Sequence, residues 1–84
     1  MGDDRERGPG KDDLDALRAA LGGRVRTLRS ERGWTQEELA DQCGLDARHV
    51  QKIEHGSHSA TLKTLLHLAR GFGVTVADLF AGVG

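Results

Sequence analysis

The sequence predicts an all-α domain of five helices, on three observations. Apolar residues recur at spacings of three and four, no stretch alternates with period two, and three helix starts repeat one arrangement of cap and flanking apolar residues. At 84 residues, with 37% hydrophobic and 30% charged, the chain holds one small core; it is too short for a nucleotide-binding α/β enzyme and too apolar to be wholly unfolded.

Residues 1–13 are expected to form a flexible acidic tail, and residues 14–84 the folded domain. Gly2 to Gly10 is rich in glycine and charge and has no apolar residue whose burial could offset the entropy of ordering. Leu14, Leu17, Leu21, Val25 and Leu28 then place one apolar stripe on helix one, capped by Asp12 or Asp13. Gly22-Gly23 lies inside it and costs about 1 kcal/mol per glycine relative to alanine, so a bend or a later start is expected there.

Thr35 and Glu38 form a capping box for helix two, with Trp34 and Leu39 as a hydrophobic staple. This helix runs from Gln36 through Leu39, Ala40 and Cys43 to Gly44. Leu45, the cap Asp46 and Val50 repeat the staple for helix three, which ends at Gly56. Thr61 caps helix four, whose predicted stripe is Leu62, Leu65, Leu66, Ala69 and Phe72. Val74, Thr75, Asp78 and Leu79 predict a short helix five.

Charge and cysteine content narrow the function. The net charge is −1, but residues 1–15 hold six acids against three bases, which leaves the body with nine bases against seven acids. The body is mildly basic. A single cysteine, Cys43, excludes an internal disulfide and supplies at most one thiolate to a metal; it is expected as a small core residue. His55 and His58 straddle Gly56 with no third ligand nearby, so no metal and no cofactor is expected. No paired acid and base, activated nucleophile or phosphate loop is visible, so the chain is not expected to be an enzyme. No segment is apolar enough to span a membrane, and the acidic start lacks a signal peptide's layout, so a cytoplasmic location is expected.

Residues 36–55, QEELADQCGLDARHVQKIEH, carry the functional information. Gly44-Leu45-Asp46 separates two short helices, a spacing suited to a steep crossing. Small Ala40 permits close approach, Gly44 makes the turn, and Leu39, Cys43, Leu45, Val50 and Ile53 fill the inside of the corner. At about 100° per residue, Arg48, Gln51, Lys52 and His55 fall opposite the Val50–Ile53 side. They are polar and none is acidic; arginine, lysine and glutamine are the groups that reach guanine or adenine edges and phosphates in a major groove.

From Leu21 to Phe80 the chain resembles the phage repressor and Cro type of helix-turn-helix, also called the xenobiotic-response-element family. The resemblance runs through LGGRVRTLRSERGWTQEELADQCGL, VQKIEHG and TLKTLLHLARGFGVTVADLF. It implies a five-helix repressor-like domain that binds double-stranded DNA sequence-specifically, as a homodimer on a palindromic operator, and regulates transcription. By position it assigns base reading to Ala47, Arg48 and Lys52, with Gln51 adjacent, and phosphate contact to Gln36; Thr35, at the start of helix two, and His49 and His55, which flank the reading face, are further candidates for phosphate contact. Arg24 and Arg32 follow from the approach of helix one to the DNA backbone. Ala47 departs from the polar residue often found at its position and offers only a methyl group; Ala60 stands where the family often has proline. An ion pair between Arg29 and Glu54 is expected, because a carboxylate beside Val50 needs a partner and the family often pairs these positions. Val76, Leu79, Phe80 and Val83 are the dimer candidates, at the end that resembling proteins use for pairing. The same fold also serves as an antitoxin paired with a toxin, as a restriction-system controller, or as a protein-interaction module that no longer binds DNA.

Overall fold

The computed structural model describes residues 10–57 and 60–81. They form four α-helices, α1 (Lys11–Glu31), α2 (Gln36–Cys43), α3 (Ala47–His55) and α4 (Leu62–Phe72), followed by a single 3₁₀ turn, Ala77–Phe80. The all-α class is as expected, but the fifth helix is reduced to that turn. Its cap is in place: Thr75 Oγ1 accepts from the Asp78 N–H at 3.1 Å, and Asp78 Oδ2 from the Thr75 N–H at 3.0 Å. Four residues later Ala81 has returned to extended backbone.

Helix α1 also differs from expectation. It begins at Lys11, inside the stretch assigned to a tail, with Gly10 rather than Asp12 or Asp13 at the cap; Asp13 Oδ2 accepts from the Gly10 N–H at 3.2 Å. Residues 1–9 lie outside the described residues. The helix runs through Gly22-Gly23 unbroken. A Cβ at Gly22 would collide with the Ile53 carbonyl oxygen and come within 2.8 Å of that of Glu54, so this glycine serves helix packing, not a bend.

The core collects Leu21, Val25 and Leu28 of α1, Leu39, Ala40 and Cys43 of α2, Val50 and Ile53 of α3, and Leu65, Leu68, Ala69 and Phe72 of α4, closed by Leu79. α1 packs on α3 and the 3₁₀ turn, and α2 packs on both α3 and α4. Leu14 and Leu17 remain exposed although they share the stripe of Leu21, because α1 projects past the elements that cover it. On α4 the buried side is rotated from the predicted one: Thr64 and Leu68 are inside, and Leu62 and Leu66 face outward. Trp34, predicted to staple onto Leu39, stacks on Phe72 with ring centres 6.1 Å apart. Among the described residues, no helix is long and apolar enough to cross a membrane, and no three or more His, Cys, Asp or Glu side chains cluster to hold a metal ion. His58 lies outside the described residues.

Candidate nucleic-acid interface

The corner between α2 and α3 is built by local chemistry. Thr35 and Glu38 exchange hydrogen bonds of 2.9 and 3.1 Å and start α2. Gly44 ends it at φ 67°, a left-handed conformation that a side chain would strain, and the Leu45 N–H closes on the Ala40 carbonyl at 2.9 Å. Asp46 then opens α3, its Oδ1 accepting from the Arg48 N–H at 2.8 Å. His67 of α4 secures the corner from behind, its Nδ1 lying 2.9 Å from the Cys43 carbonyl oxygen.

The inner side of α3 is anchored twice. Val50 and Ile53 are buried in the core, and Glu54, also buried, forms the centre of a polar cluster. Arg29 donates to both of its carboxylate oxygens, from Nε at 2.6 Å and Nη2 at 3.0 Å, while Gln36 Nε2 donates to Oε1 at 3.1 Å. Arg26 Nε lies 3.7 Å from the same oxygen. Burial pushes the Glu54 carboxyl upward, but the Arg29 and Gln36 hydrogen bonds and the charges of Arg29 and Arg26 outweigh it and hold the group below the usual glutamate range. Arg29 also donates to the Trp34 carbonyl at 2.9 Å, so one guanidinium ties α1, the α1–α2 connection and α3 together.

The outer side of α3 presents Arg48, Gln51, Lys52 and His55, all exposed. Arg48 and Lys52 line an open depression of about 310 Å³ together with His49 and Asp46. His49 is half-buried at its wall. Ala47 is half-buried and packs against the core, so its methyl is turned largely away from the surface expected to meet a base. The sequence pattern marks Asp46 only as a cap. The signal available was its position: the residue before the first reading positions borders the same surface.

Two arginines predicted to contact DNA are engaged inside the protein. Arg24 Nε donates to the Asp78 carbonyl at 2.9 Å. Arg32 donates to the carbonyls of Phe72 at 2.6 Å and Leu28 at 3.0 Å, with its guanidinium over the rings of Trp34 and Phe72. These bonds satisfy one carbonyl of the 3₁₀ turn and two near the ends of α1 and α4, and hold both side chains against the protein, Arg24 through its Nε alone. Gln36 is half-buried and Thr35 exposed at the start of α2. Of the dimer candidates, Leu79 is fully buried and unavailable, because it closes the core. Val76 is exposed and Phe80 half-buried, while Val83 lies outside the described residues.

A family model described as a helix-turn-helix domain matches residues 20–80. A hypothetical transcription factor of Neisseria meningitidis is 39% identical over 67 residues, covering 80% of this chain and 63% of that protein. The competence pilus inhibition repressor of Acinetobacter baylyi is 33% identical over 60 residues, covering 71% of this chain and 54% of that protein. The chain thus spans between about half and two thirds of the length of these relatives. Among solved structures, the restriction-modification controller protein C.AhdI of Aeromonas hydrophila superposes with a TM-score of 0.73 at 35% identity, over 75% of this chain and 96% of that one. The similarity extends across transcriptional regulators and controller proteins and does not single out phage Cro repressors.

Proposed function

Because the chain belongs to the helix-turn-helix domain family, we propose that it binds double-stranded DNA sequence-specifically and regulates transcription. One observation carries this reading: α3 is held from its inner side by the core and the Glu54 cluster, which leaves Arg48, Gln51, Lys52 and His55 together on an uncovered outer side. That side enters a major groove. Arg48 and Lys52 are the guanine readers, Gln51 is suited to adenine, and Ala47 contributes at most a methyl contact. His49, His55 and Thr35 meet phosphates at the edges. Gln36 braces α3 through Glu54 and keeps its remaining amide groups for a phosphate oxygen.

A homodimer on a palindromic operator completes the proposal, with two copies of α3 about 34 Å apart. Phe80 supports a pairing surface, since it lines an apolar groove with the exposed Leu14 and Leu17. A restriction-system controller is the favoured specific role: C.AhdI is matched over 96% of its length, and so is the control protein C.MunI of a Mycoplasma species, at 28% identity. Selection of bound duplexes from random DNA, followed by anisotropy titrations at rising salt, tests the reading. Enrichment of a defined site with affinity falling steeply in salt supports it; equal or salt-independent affinity for all duplexes overturns it.

A further inference from the structure

We infer that Asp46 is a specificity-determining residue, its carboxylate accepting a hydrogen bond from an exocyclic amino group on a base edge, cytosine N4 or adenine N6. The inference rests on the DNA-binding reading and extends it to a residue outside the basic face.

Asp46 is exposed immediately before α3, and the 2.8 Å bond from the Arg48 N–H to Oδ1 fixes the direction of its carboxylate. It shares the open depression with Arg48, His49 and Lys52, yet among the described residues neither cation, Arg48 or Lys52, forms an ion pair with it. The group is therefore held in place by one oxygen, with acceptor capacity left on the other. Phosphates offer only acceptors and negative charge, so a carboxylate on this surface weakens contact with any duplex backbone. Base edges differ. Cytosine N4 and adenine N6 are donors in the major groove, whereas guanine O6 and N7 and thymine O4 are acceptors that would face the carboxylate without a proton between them. Asp46 thus both selects and rejects, and its neighbour Arg48 has the opposite preference, for guanine. Side by side they read a guanine and an adjacent base that bears an amino group.

Asp46→Ser and Asp46→Asn both preserve a helix cap, so they separate base reading from folding. Site preferences selected from random duplexes are compared for the wild type and both variants, with circular dichroism checking helix content. In the wild type, one position is expected to favour cytosine or adenine by about tenfold. Asp46→Ser loses that preference and binds random duplexes more tightly, while Asp46→Asn moves it toward adenine, whose N6 and N7 an amide can pair. If Asp46→Ser lowers helix content, the Asn variant decides alone. Preferences unchanged at every position, with only overall affinity raised, overturn the inference and leave Asp46 as a repulsive cap. Absent or salt-insensitive duplex binding by the wild type overturns the DNA reading itself.

Discussion

At the scale of single residues, Glu54 decides how firmly the corner is held. Its side chain is 1% exposed and that of Arg29 18%, so removing the arginine strands a buried carboxylate with weaker partners. Arg29→Ala should cost about 3 kcal/mol in urea unfolding, far above the effect of removing an exposed ion pair. Because the folded state holds the Glu54 carboxyl below its ordinary value near 4.3, its contribution is complete above that pH and declines as pH falls through the lower folded value. Unfolding curves between pH 3 and 6 should therefore show a steeper acid loss for the wild type than for Glu54→Gln. Cys43 offers a separate check: burial pushes its thiol up to about 11, so alkylation at pH 8 should proceed only as fast as the core opens. That Glu54 needs a partner is readable from its angle on α3, and the family resemblance names Arg29 as that partner. The destinations of Arg24 and Arg32 are not readable, since they reach carbonyls 54 and 40 residues away, and nothing in local spacing marks such reach.

At the scale of elements, the glycine pair in α1 separates two effects that sequence treats alike. Gly22 meets α3 backbone, whereas a Cβ at Gly23 meets nothing within 4 Å. Gly23→Ala should stabilise the protein by about 0.5–1 kcal/mol through helix propensity, and Gly22→Ala should destabilise it by about 1–3 kcal/mol through overpacking, both measured by thermal unfolding. Equal shifts for the two would show that α1 and α3 do not approach so closely. The starts of α2, α3 and α4 were the most legible feature, since Thr35, Asp46 and Thr61 act through bonds two or three residues away, whereas the start of α1 was not. The buried face of α4 was less legible too. Leu62, Leu65, Leu66 and Leu68 spread over about 160° of the helix, wider than the side that is covered, and only contact with its neighbours decides which of them goes inside. The 3₁₀ turn was misjudged for a related reason: a sound cap begins a helix but does not set its length.

At the scale of the whole molecule, the predictions concern association. Arg48→Ala should weaken a preferred duplex by about 1–3 kcal/mol and relax one base position, whereas Gln36→Ala should weaken preferred and random duplexes alike, both read by anisotropy. Equal losses on both kinds of DNA for the two variants would dissolve the distinction between reading and bracing. For pairing, Leu17→Asp places a charge in the groove bordered by Phe80 and should shift sedimentation toward monomer; an unchanged distribution would move the pairing surface elsewhere. The overall domain was legible because most of its helix caps and its corner are local, while the apolar groove proposed for pairing was not, because exposure of Leu14 and Leu17 depends on where the covering elements stop. The anchoring of α3 from its inner side has an evolutionary corollary. Its outward positions can be rewritten without disturbing the scaffold, much as a key blank accepts new teeth, so descendants of one ancestor can acquire unrelated target sites through a handful of changes while the remainder of the chain stays as it was.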